Sequence, residues 1–235
     1  MDIFDFRWDI IWNYRELFLR GIWITILLTI SGYIGGIIFG ILLGLGQTTK
    51  KKLIYWPSKI YVDLFRGTPM LVQILIIDLA VIPTVFGQSF GPIVSGITAL
   101  VLNSAAYNAE IIRAGIQSID KGQMEAARSL GLTKWQAMRK VILPQAFRRM
   151  IPPLGNEFIA LLKDSSLVTV IAANDILYAA KVVTGAYYIF WEPYLVAALL
   201  YLILTYIVTK VIAFIEKRFS VDYNPRKAKE GRVAR

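Results

Sequence analysis

From Ile22 to Gly46 the chain carries no charged residue, and that run constrains the fold more than any other feature. A bilayer core about 30 Å thick is crossed by roughly 20 apolar helical residues. No water reaches that core, so backbone N–H and C=O groups must bond within the segment, which makes the run a helix. A second and a third run follow from Gly67 to Ala109, where Asp78 is the only charge. Pro83, Gly87, Gln88, Ser89, Gly91 and Pro92 interrupt this stretch and read as a tight loop between two helices. A fourth run extends from about Ile151 to Ala173 and holds Glu157, Lys163 and Asp164; a fifth lies at about Pro193 to Ile215. The sequence therefore predicts an all-α membrane protein with five transmembrane helices, in one transmembrane domain over residues 1–235.

Composition agrees, because 56% of residues are hydrophobic and 18% charged, too few charges to disperse a soluble domain. A net charge of +10 would suit nucleic acid, but the basic residues stand in short clusters between apolar runs. No Cys or His is present, which excludes thiol nucleophiles, disulfides, the usual zinc sites and imidazole catalysis. No metal site is expected. Asp2, Asp5, Asp9 and Glu16 stand where a cleavable leader would have a basic start and an apolar stretch.

Basic residues orient the helices. Lys50, Lys51, Lys52 and Lys59 lie between the first two runs. Between the third and fourth come Arg113, Lys121, Arg128, Lys134, Arg139, Lys140, Arg148 and Arg149. The loop from Pro83 to Pro92 has none, and the stretch from Asn174 to Glu192 has only Lys181. This alternation puts the amino terminus outside and the carboxyl terminus in the cytoplasm. Phe4, Trp8, Ile11, Trp12 and Phe18 recur at helical spacing, so residues 1–20 read as an amphipathic helix on the outer surface. Residues 223–235 read as a solvated basic tail.

Gly32, Gly36, Gly40 and Gly44 fall every fourth residue and mark one helix face for close packing. In the cytoplasmic segment 118–145, Asp120 to Gln123 and Thr133 to Gln136 have the form of capping boxes. The first opens a short helix that Gly131 ends; the second opens a helix that Pro144 is expected to end. The product is a helix, a glycine corner and a helix, presenting Ala126, Ala127, Leu130 and Leu132 beside charges. A partly apolar elbow of this kind calls for a partner to cover it.

Glu125-Ala126-Ala127, Gly131 and Ile142-Leu143-Pro144 together resemble the signature loop of importer permeases of the ATP-binding-cassette class. Further segments resemble the polar amino-acid branch of that class. These are Arg66-Gly67-Thr68-Pro69 with Leu71-Val72-Gln73, Ala106-Tyr107 with Glu110-Ile111 and Arg113, and Gly115 to Ile119 with Lys121 to Gln123. Pro153 to Glu157 and Lys163 to Leu167 complete the set. The resemblance covers nearly all of the chain except the amino-terminal helix and the tail. It implies two cytoplasmic ATPase subunits, a second identical or homologous permease chain, and an extracytoplasmic solute-binding protein. It places docking of the ATPase on Glu125, Ala126, Ala127, Gly131 and Leu132. No phosphate-loop motif occurs, so no cofactor is expected on this chain; ATP and magnesium belong to the partner, and the chain itself is no enzyme.

Ionisable residues within spans are costly and mark functional candidates. Asn103, Tyr107 and Glu110 share one face of the third run, and Glu157 and Asp164 share one of the fourth. For Glu110, Glu157 and Lys163, interhelical pairing is the simpler reading. Asp78 departs from the branch, which usually carries an aromatic residue there. A carboxylate on the path suits a cationic, arginine-like amino acid, with Asn103, Tyr107, Asp164 and Ser165 toward its backbone groups. The alternatives are a neutral amino acid such as glutamine, an opine or osmolyte, or, in another class, an ion channel or stand-alone carrier, which has no use for the elbow.

Overall fold

The computed structural model describes residues 6–219, and among these all regular structure is helical. A short helix α1 (Trp8–Asn13) leads through Tyr14 into the long α2 (Arg15–Thr48). Next come α3 (Lys52–Arg66), α4 (Met70–Phe86), α5 (Pro92–Gln117) and α6 (Lys121–Ser129). The chain continues with α7 (Lys134–Ile171, a 3-10 turn over its last residues Ser165–Ile171), α8 (Ile176–Tyr187) and α9 (Trp191–Phe219). By length and composition α2 and α9 can each cross a membrane. The pairs α3–α4 and α7–α8 pass the same test as broken spans, bent by 106° and 43°. α5 falls short in hydropathy because it is the central helix: Ser95, Asn103, Ser104 and Asn108 are polar but buried by its neighbours.

Several boundaries differ from the sequence reading. The helix expected over residues 1–20 is α1 alone, because residues from Arg15 onward continue into α2; Phe4 lies outside the described residues. The basic tail 223–235 lies outside them too. The stretch from Asn174 to Glu192, read as a loop, contains α8, and the connection after the first run contains α3. Both are amphipathic or short, so neither stands out as an apolar run. Pro144 does not stop its helix. A wide π turn over Met138–Ile142 precedes it, in which Leu143 N–H bonds the Met138 carbonyl, and the proline ring enters the turn that follows. A matching wide turn, Ile77–Val81, precedes Pro83 in α4 and contains Asp78.

The glycine face packs as its spacing requires. α2 lies along α5, and a Cβ at Gly32 would stand 2.7 Å from Leu100 Cβ, at Gly36 2.6 Å from Ser104 Cβ, and at Gly40 2.7 Å from Asn108 Cβ. Leu100, Ser104 and Asn108 are themselves four residues apart, so two stripes interlock down the helix pair. Beyond this seam a core forms where α2, α4, α5 and α7 converge on Leu28, Ile74, Ile77, Leu100, Leu161 and Val168. A second core joins α1, α2, α8 and α9 around Phe18, Ile176 and Val183.

Candidate functional site

Asp78 follows Ile77 of the first core and is half-buried. Among the described residues it has neither an ion pair nor a hydrogen bond; Lys163 is exposed and no contact joins it or Lys181 to Asp78. One turn earlier on α4, Gln73 is buried and ties the region together. Its Nε2 donates to the Phe65 carbonyl at 2.8 Å, to the Thr68 carbonyl at 3.0 Å and to Thr68 Oγ1 at 2.8 Å. Its Oε1 accepts from Asn103 Nδ2 at 2.8 Å. The Arg66-Gly67-Thr68-Pro69 corner, where α3 turns into α4, is thereby fixed to α5.

The 3-10 turn Ser165–Ile171 packs against α4 on the same core. Ser165 is fully buried and donates its hydroxyl to the Leu162 carbonyl at 2.7 Å. Asp164, just before it, is half-buried, and Glu157 two turns back is likewise half-buried. Asp78, Asn103, Asp164 and Ser165 therefore flank one core. Tyr107 and Glu110 belong to the other end of α5. The Arg66 guanidinium lies 5.6 Å over the Tyr107 ring. Glu110 is held by Arg113 through both oxygens, at 2.5 and 3.0 Å, with Arg66 at 3.6 Å. The face shared by Asn103, Tyr107 and Glu110 is real, but it spans two environments, and pairing occupies Glu110.

Asp175 is a polar centre that sequence reasoning missed. It is fully buried and caps α8, accepting from the N–H groups of Tyr178 at 3.0 Å and Leu177 at 3.3 Å. Tyr201 of α9 donates to it at 3.0 Å, and Thr169 donates its hydroxyl from the 3-10 turn. Ala172, left-handed at φ 62°, makes the corner that brings Thr169 and Asp175 together. The available signal was the cap itself, Asn174-Asp175 before the run Ile176-Leu177-Tyr178.

The elbow is built largely as its caps suggest. Gly131 has φ 85°, Leu132 N–H bonds the Ala127 carbonyl at 3.2 Å and Gly131 N–H bonds that of Arg128 at 3.0 Å, the double closure of a glycine helix stop. Thr133 and Gln136 form a complete capping box. Asp120 accepts from Gly122 N–H, whereas the Gln123 side chain turns away to Gln145 at 3.2 Å, so the first box is half-formed. Glu125 and Ala126 are exposed and Leu130 is 82% exposed. Ala127 is buried against the turns that follow and Leu132 is half-buried, because the first helix folds back on the wide turn Met138–Ile142.

The model of a family described as binding-protein-dependent transport system inner membrane component matches residues 36–221. The chain belongs to this family. It is 38% identical over 200 residues to the arginine transport system permease protein ArtQ of Bacillus subtilis, spanning 85% of this chain and 91% of ArtQ. It is 33% identical over 218 residues to the glutamine transport system permease protein GlnP of Escherichia coli, spanning 92% of this chain and 99% of GlnP. A crystal structure of an amino acid ABC transporter with histidines superposes with a TM-score of 0.83 at 40% identity, over 88% of this chain and 96% of that one. The inward-facing MetNI methionine ABC transporter, at 22% identity and a TM-score of 0.76, shares the fold. The family's members are multi-pass inner-membrane permeases that work with ATPase and solute-binding partners, and this chain is such a permease, not an enzyme.

Proposed function

We propose that the chain translocates a polar amino acid inward by alternating access, with a cationic, arginine-like side chain preferred. Relatives named for arginine and for glutamine support the amino-acid class. The observation that carries the cationic preference is Asp78, a half-buried carboxylate in a wide turn of a broken span, without a partner among the described residues. A cation crossing a low-dielectric path loses hydration, and a waiting carboxylate offsets that loss. Asn103, Tyr107, Glu110, Asp164 and Ser165 complete the candidate substrate path, with Asn103, Asp164 and Ser165 nearest Asp78 through the shared core. The second reading is a neutral amino acid such as glutamine, favoured by the buried amide pair Gln73–Asn103 beside the same core.

In this reading the five spans are α2, α3–α4, α5, α7 and α9, with the amino terminus outside. The elbow faces the cytoplasm and docks an ATPase through Glu125, Ala126, Gly131, Leu132 and the exposed Leu130, with Ala127 backing the corner. Two ATPases carry ATP and magnesium, and a second permease chain completes the path. Uptake into vesicles by the whole transporter tests the substrate: arginine should be taken up at least about tenfold more effectively than glutamine. Preference for glutamine overturns the assignment. Single Cys residues replacing Ser89 and Thr49 test the topology in a chain that has no other Cys. An impermeant reagent should label them from opposite sides, and labelling of both from outside refutes the orientation.

A further inference from the structure

Asp175 is a fully buried carboxylate that the proposed solute path does not use. Four donors converge on it from three elements. They are the N–H groups of Leu177 and Tyr178 in α8, the hydroxyl of Tyr201 in α9, and that of Thr169 in the 3-10 turn that ends α7. Capping α8 requires only the first two. The two hydroxyls bring in other elements, so the carboxylate does more than cap.

The turn it holds is one that needs holding. Ser165–Ile171 is seven residues long, whereas 3-10 runs beyond three or four residues are uncommon because their hydrogen bonds align poorly. Ala172 follows at φ 62°, a left-handed conformation that a residue with a Cβ keeps only where its surroundings enforce it. Thr169 is anchored to this corner twice, since its carbonyl accepts from Ala172 N–H at 3.0 Å and its hydroxyl donates to Asp175. The Tyr201 hydroxyl also meets those of Thr25 and Ser165. The turn is therefore held near both ends, at Ser165 and at Thr169, by groups gathered around one carboxylate.

Two residues of the proposed path depend on where this turn lies. Asp164 leads directly into it. Val168, fully buried, packs from it into the core that contains Ile77, the neighbour of Asp78. We propose that Asp175 is a positioning residue of the solute path, holding through Thr169 and Tyr201 the turn that sets Asp164 relative to Asp78. Enclosed as it is, Asp175 acts through the turn and not by touching solute. The inference rests on the path proposed above, with Asp164 as one of its contacts.

Equilibrium binding of labelled arginine and of labelled glutamine to the purified transporter tests it, with no solute-binding protein added. Thr169→Val keeps the shape and removes one donor, while three remain on Asp175. It should weaken binding of the better-held solute by about tenfold, the scale of one hydrogen bond. Thr169→Ser should restore the affinity, and Thr169→Val added to Asp175→Ala should cost nothing further. Val183→Ala, a cavity in the second core, should lower the melting temperature and leave affinity as it is. Tyr201→Phe replaces Thr169→Val if the latter does not assemble, and the Thr169 pair suffices if Asp175→Ala does not. Asp164→Asn reports on the path itself and should weaken binding. If it does so while folded Thr169→Val binds as wild type does, Asp175 is structural and the inference is overturned. An equal loss in Val183→Ala overturns it too, because any loosening would then suffice, and so does a failure of serine to rescue. Unchanged binding in Asp164→Asn, or no binding of either solute by wild type, overturns the path reading first and this inference with it.

Discussion

Asn103 Nδ2 donates to Gln73 Oε1 at 2.8 Å across the α4–α5 contact, and the same Gln73 closes the sharp corner between α3 and α4. One amide thus sets both the bend between α3 and α4 and the distance of α4 from the central helix. Gln73→Leu leaves Asn103 buried with unmet donors, and Asn103→Leu leaves an unmet acceptor; each should cost about 1–3 kcal/mol. The double variant should cost less than the sum, because neither orphan then remains. Thermal unfolding of the purified chain measures this. Additive losses would show that the two amides act independently.

The interlocked stripes of α2 and α5 give a contrast in sign between two glycines. At Gly36 a Cβ would meet Ser104 Cβ and Oγ at 2.6 Å, and the helices must part to admit it. Gly36→Val should destabilise by about 1–3 kcal/mol or more through overpacking. Gly185, inside α8, has nothing within 4 Å of its would-be Cβ. Gly185→Ala should instead gain about 0.5–1 kcal/mol, as alanine does in a helix. Melting temperatures that shift in the same direction for both would refute the packing argument.

The seam was legible in the sequence because its information is local: four glycines at one spacing within one apolar run. The corner at Gly131 was legible for the same reason. Asp175 was not, because Tyr201 and the glycine beneath it, Gly21, whose would-be Cβ meets the Asp175 carbonyl, are far away in the chain. Pro144 misled because a proline stops a regular helix, whereas a preceding wide turn lets the helix pass. α3 and α8 escaped notice because a search for apolar runs passes over a helix that is half polar or only 12 residues long. For the site, the residue types were visible, but Glu110 shows that a shared helix face does not mean a shared environment.

Gly131 separates backbone strain from crowding. Its φ is 85°, yet a Cβ there would meet nothing within 4 Å, so any penalty comes from the left-handed backbone alone. Gly131→Val should abolish uptake while leaving the membrane-embedded bundle folded, since a β-branched residue resists that conformation. Gly131→Asn should keep most of the uptake, because asparagine enters the left-handed region far more readily. ATP-driven uptake and protease resistance of the bundle, measured on both variants, check the pair. Equal uptake by Val and Asn variants would show that the corner has no part in coupling.

Asp78 carries the substrate assignment and is the sharpest place to test it. Its carboxylate sits in the wide turn Ile77–Val81, on the same helix as Gln73, with Lys163 exposed and no salt bridge to it among the described residues. Structural carboxylates at such depth are ordinarily paired, because an unpaired one loses hydration without recompense. Asp78→Asn keeps the shape and removes the charge. If the carboxylate receives a guanidinium in transit, arginine uptake should fall by about tenfold or more, the scale of one charge-assisted hydrogen bond. Glutamine uptake, however slow, should hold or rise, since no cation is awaited. The ratio of the two, taken on one preparation, cancels differences in expression and assembly. If both solutes decline together, Asp78 supports the wide turn and not the cargo. If arginine uptake persists in full, the preference for a cation has to be carried by Asp164 or Glu157, the half-buried carboxylates of α7.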